Sequence, residues 1–134
     1  MTRRARGAAC LLVALWCWAS WTLSSSRDPE SMVGVHLHLN DKVEHGVEYA
    51  VGGFLAAWAA SSDARRLRGL VAALVFCGLW GVLDEVHQSG VPDRDCSALD
   101  LAADVAGATI GALVFDRFVA GRRRRGPETM NPVA

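Results

Sequence analysis

The chain has 134 residues, 14 basic and 14 acidic side chains, and half of its residues are hydrophobic. Its formal charge is zero, so any electrostatic argument rests on where the charges sit and not on their sum. Four cysteines without a CxxC or paired spacing support neither a disulfide framework nor a zinc ribbon.

The hydrophobic residues fall into four blocks, 7–23, 46–60, 69–83 and 98–115. The first and third contain no charged residue and are apolar all round, whereas a soluble bundle keeps a polar stripe toward water. Each block is shorter than the roughly 20 residues that cross a hydrocarbon core. Block three has 15 residues, about 22 Å of helix. The shortfall leaves a soluble, wholly buried bundle open. The alternative is that polar helix ends reach into the membrane interface. Charge placement favours the membrane. Arg3, Arg4 and Arg6 precede block one, Arg65, Arg66 and Arg68 separate blocks two and three, and Arg117 and Arg122 to Arg125 follow block four, which is eleven of the fourteen basic residues. Arg27, Lys42 and Arg94 occupy the other two connections. The expected fold is therefore an all-α, four-helix, multi-pass transmembrane bundle with both termini cytoplasmic.

In chain order, residues 1–23 have the layout of a signal peptide, but Ala19-Ser20-Trp21 is a poor cleavage site and removal would upset the charge pattern. They read as a retained helix, with Trp16, Trp18 and Trp21 tending toward the outer interface. In the connection 24–40, His36-Leu37-His38 could bind a metal, yet no third ligand is fixed by spacing and solvated histidines suffice. Asp41-Lys42-Val43-Glu44 fits a capping box with Asp41 as N-cap. His45, Glu48 and Tyr49 continue the stripe from Asp41 into the apolar interior, where a Glu needs a partner. Gly52 and Gly53 beyond them permit a close helix neighbour.

Block three ends in Asp84-Glu85-Val86-His87-Gln88. Acids at a helix C-terminus oppose the dipole, so something else should hold Asp84 and Glu85 in place. Asp84, His87 and Gln88 share one face. Residues 91–95 form a turn around Pro92, with Arg94 in it. Ser97 to Asp100 is a capping box that starts block four, and Asp100, Asp104, Gly107 and Gly111 lie on one stripe, two carboxylates outside and two packing glycines inside.

With alternating crossings, Asp41, Lys42, His45, Glu48, Tyr49, Asp84, Glu85, His87, Gln88, Arg94, Asp100 and Asp104 reach similar depth on one side of the membrane. Asp41-Lys42-x-x-His45-x-x-x-Tyr49, Asp84-Glu85-x-His87-Gln88, Pro92-x-Arg94 and Asp100-x-x-x-Asp104-x-x-Gly107-x-x-x-Gly111 together resemble the VanZ-like family of small bacterial integral membrane proteins. The likeness covers about 41–114, leaving 1–6 and 121–134 as basic or flexible tails. Asp93 stands where that family often has Gly, and Cys96 where it often has Pro. The resemblance implies a link to glycopeptide (teicoplanin) resistance and to the cell envelope, with no established activity.

Three functions fit these residues. The polar cluster binds or shields a lipid head group, a cell-wall precursor or a glycopeptide; or it is a hydrolase or transferase site using His45 or His87 beside a carboxylate, with Arg94 on an anion; or it is a salt-bridge network that locks the bundle or serves a partner. No metal motif such as HExxH is present, and the residues leave the cofactor open; a metal would fall to Asp41 and His45 with Asp84 or His87. The arginine-rich tail suits topology and anionic lipid, not nucleic acid.

Overall fold

The computed structural model describes residues 2–26, 40–61, 66–92, 94 and 96–124, with side chains to residue 118. His36, His38, Arg27, Arg65, Asp93 and Arg125 lie outside the described residues. Four helices form an all-α bundle: α1 Arg3–Ser24, α2 Asp41–Ala60, α3 Arg66–Gln88 and α4 Ala98–Arg124. Each extends beyond its apolar block, which resolves the apparent shortfall in length. Three of them are long and apolar enough to cross a membrane: all of α1 (22 residues), all of α3 (23 residues) and Ala98–Phe118 of α4 (21 residues). At the usual rise these cover about 30–35 Å, the thickness of a hydrocarbon core.

The bundle is apolar outside and polar inside. Leu11, Leu15, Val47, Val71, Leu79, Val86, Ile110 and Leu113 are exposed, while Asp84, Glu85, Asp100 and Asp104 are buried. Water would penalise that arrangement and lipid rewards it, which removes the soluble alternative. The chain is a multi-pass membrane protein.

Helix α2 packs against the other three. Its contact with α4 is backbone on backbone. Added methyl groups at Gly53, Gly107 and Gly111 would collide with the backbone of Ala108, Gly46 and Ala50 respectively, so the glycines set the approach as expected. Gly52 instead faces α1, where the Trp16 indole fills the space a side chain would need. Trp16 therefore departs from the expected interfacial position: it is only 8% exposed, stands edge-on to Tyr49 at 5.3 Å, and donates from Nε1 to the Glu48 carbonyl at 3.1 Å. Trp18 is exposed and Trp21 partly so.

The two ends differ. At one, Arg6 donates to the Ser61 carbonyl and Arg66 pairs with Asp116 through both carboxylate oxygens. At the other meet the end of α1, the start of α2, the end of α3 and the start of α4.

Candidate functional site

At the start of α2 the cap is Asn40, not Asp41. The Asn40 backbone is extended (φ −65°, ψ 134°), its carbonyl accepts from Val43 and Glu44, and its side chain accepts from the Lys42 amide at 3.0 Å. Asn has the same short acceptor as Asp and fits one position earlier. Asp41 is thereby free to take the Lys42 ammonium at 3.1 Å, and the same ammonium pairs with buried Asp100. Ser97 caps α4 as expected, its Oγ accepting from the Asp100 amide at 3.3 Å.

What holds the acids at the end of α3 is the start of the next helix. Glu85 Oε2 accepts from the Ser97 amide at 2.6 Å, so the positive end of α4 offsets the negative end of α3. Asp84 Oδ2 accepts from Gln88 Nε2 at 3.0 Å, and Gln88 Oε1 accepts from Arg94 at 3.1 Å. The turn is tied to the helix through one amide side chain.

Deepest lies the pair between α2 and α4. His45 Nδ1 meets Asp104 Oδ1 at 2.9 Å, and Asp104 has no exposed surface. Asp104 also has room toward α3, because a side chain at Gly81 would approach Asp104 Oδ2 to 3.1 Å. Glu48 lies beside the Ser20 hydroxyl of α1, and its Oε1 has no hydrogen-bond partner among the described residues. Sequence reasoning alone misses Gly81, Ser20 and Gly46; only Gly81 left a signal, one turn before Asp84 on the same face.

His87 does not join this group. It stacks on Trp21 of α1 with centroids 3.9 Å apart and meets Ser25 Oγ at 2.9 Å. The buried face of α3 is centred among Gly81, Asp84, Glu85 and Gln88, and His87 lies roughly 100° around the helix from that centre. Asp41 is largely exposed and belongs to the rim.

Two groups bring ligand atoms within 4.8 Å of one another: His45, Glu85 and Asp104, all buried, and Asp41, His45 and Asp100. The cluster can therefore coordinate a metal; neither group contains the expected Asp84 or His87, and the buried one keeps only His45 of the expected set, with Glu85 and Asp104 as the acids. Among the described residues, five buried oxygens of this region have no hydrogen-bond partner: Glu48 Oε1, Tyr49 Oη, Asp84 Oδ1, Glu85 Oε1 and Asp104 Oδ2.

Comparison with protein-family models, with curated proteins and with solved structures finds no match.

Proposed function

We propose that this protein is a membrane-embedded hydrolase or transferase acting on an anionic head group of a cell-envelope lipid, with its polar end on the extracytoplasmic side. The observation that carries the reading is the set of unpartnered buried oxygens around His45 and Asp104. A network that served only to lock helices would satisfy its members, because an orphaned polar atom in a low-dielectric interior is costly. Oxygens left open suit a site that meets something else. The side assignment rests on the arginines of the opposite end.

In this reading Asp104 fixes the His45 ring through Nδ1, which leaves Nε2 to take a proton from water or an acceptor hydroxyl. The freed oxygen bonds to the head-group phosphorus, the bond to the leaving oxygen breaks, and that oxygen receives the proton from the imidazolium. Asp104 stabilises the imidazolium meanwhile. Arg94 has donors beyond the one it gives Gln88, and they would hold the anionic oxygens. The resemblance to VanZ-like proteins makes lipid-linked cell-wall precursors the first substrates to try. It also keeps glycopeptide sensitivity as the cellular readout.

The test is turnover of lipid phosphates and pyrophosphates by the purified protein in vesicles. His45→Gln and Asp104→Asn should each lower the rate by about 10²–10⁴-fold while Asp116→Asn retains it. Full activity in His45→Gln would end the proposal. So would head-group binding without product, which would make the chain a binding module.

A further inference from the structure

We propose that the buried cluster holds one divalent first-row metal ion, ligated by His45, Glu85 and Asp104. The proposal rests on the reading of this cluster as the working site and changes one role in it: with Nδ1 held by Asp104, His45 would ligate through Nε2, so activation of the attacking oxygen would pass from the imidazole to the ion. The ion would be held whether or not the site turns over.

The first argument is the state of the carboxylates. Asp84, Glu85 and Asp104 are 3%, 3% and 0% exposed. In each, one oxygen is fixed and the other is open. Asp104 Oδ1 is held by His45, Glu85 Oε2 by the Ser97 amide and Asp84 Oδ2 by Gln88. Asp104 Oδ2, Glu85 Oε1 and Asp84 Oδ1 are unpartnered among the described residues. For Asp84 and Glu85 that is how ligating carboxylates are usually presented, with an outer hydrogen bond orienting the group and a lone pair left for the ion; Asp104 is oriented by His45, itself one of the ligands.

The second is distance. Bonds of about 2.0–2.3 Å to nitrogen and oxygen place ligand atoms roughly 3.0–4.6 Å apart around one ion. The ligand atoms of His45, Glu85 and Asp104 already lie within 4.8 Å of one another. Closing on an ion requires side-chain adjustment only.

The third is charge. Lys42 is engaged by Asp41 and Asp100, and Arg94 donates to Gln88. His45 faces only one of the three buried carboxyls, Asp104, and three carboxyls converging in an apolar surround call for a further cation among them. The other candidate group, Asp41 with His45 and Asp100, already has one, since the Lys42 ammonium bridges both its acids. One imidazole with two carboxylates and no thiolate suits Mn²⁺, Fe²⁺ or Zn²⁺.

The probe is Mn²⁺ alone, added to the chelator-stripped full chain in detergent, with metal content and electron paramagnetic resonance as readouts. One ion per chain is expected, with a hyperfine coupling from a single imidazole nitrogen. His45→Gln should abolish the coupling, and Glu85→Gln and Asp104→Asn should each weaken binding at least about 100-fold. Asp41→Asn and Asp116→Asn should retain both. The proposal is overturned by substoichiometric Mn²⁺, by bound Mn²⁺ without nitrogen coupling, by unchanged affinity in Glu85→Gln and Asp104→Asn, or by loss in Asp41→Asn instead. Should the ligand variants fail to fold, the nitrogen coupling of the wild-type chain decides alone. Turnover that survives chelation in a chain that binds no Mn²⁺ sinks the ion and leaves the enzyme. A bound ion with no turnover does the reverse.

Discussion

Replacing Gly107 by Ala tests whether helix packing sets the geometry of the site. An added Cβ would stand 2.8 Å from the Gly46 carbonyl carbon and 3.0 Å from its Cα, and closer still to its carbonyl oxygen. Ordinary contact begins at 3.4 Å, and because the carbonyl oxygen is nearer than the carbon, α2 and α4 must part by more than the 3.4 − 2.8, about 0.6 Å, that the carbon alone requires. His45 immediately precedes Gly46, and Asp104 lies one turn before Gly107. Carried along the 2.9 Å bond between them, that movement stretches it past about 3.5 Å, beyond the edge of a hydrogen bond. The variant should lose about 1–3 kcal/mol in denaturant unfolding in detergent. The imidazole nitrogen resonances of His45 should shift toward those of a ring without its carboxylate partner. Gly78→Ala is the control: nothing lies within 4 Å of its added methyl, and the helix should gain about 0.5–1 kcal/mol. Wild-type stability and an unshifted His45 in Gly107→Ala would refute the reasoning.

Tyr49→Phe removes a buried hydroxyl that has no partner among the described residues, so stability should hold or rise by about 1–3 kcal/mol while turnover falls; a clear loss of stability would show the hydroxyl to be tied within the bundle. Trp16→Ala withdraws the side chain facing Gly52 and Tyr49 and should cost about 3–5 kcal/mol, read in the same unfolding assay. For topology, a chain whose only thiol is Cys96 should react with a membrane-impermeant reagent in intact cells, whereas one whose only thiol is at Ser61→Cys should react only after permeabilisation. Partial desolvation, and after it the Glu85 carboxylate, hold the Cys96 thiol above its ordinary range, so this labelling should quicken as pH rises above 7 and more thiolate forms.

Much of this was legible in the residues, and the part that was not has a common cause. Helix number, the polar stripe of α2 and the glycines of α4 all follow from periodicity, which the chain carries within each segment. Where a side chain goes at the edge of a stripe depends on which neighbour stands there. His87 sits about as near Asp84 in helical angle as Gln88 does on the other side, but α1 lies on the His87 side and offers Trp21 and Ser25. Asp41 and Asn40 are both good caps, and the choice between them was settled by Lys42, whose ammonium draws Asp41 and Asp100 together. Trp16 looked interfacial because Trp commonly is; Gly52, 36 residues on in the sequence, made room for it inside.

The same dependence explains why α2, the helix absent from the three apolar enough to cross unaided, is the one that touches all the others. A helix carrying His45 and Glu48 cannot face lipid along that stripe without uncompensated cost. Packed along that stripe against α1, α3 and α4, it presents His45 to Asp104, Glu48 to Ser20 and Lys42 to Asp100, each from a different turn. On its open face α2 exposes Val43, Val47 and Val51, while Gly52 and Gly53 on α2 and Gly107 and Gly111 on α4 let the helices close. The polar cluster is thus an element of the assembly and not an insertion into it. A change that reduced its charge, such as Asp104→Asn, would act on helix association and on chemistry together, which is why separate readouts of ion binding, turnover and unfolding are needed to apportion its role.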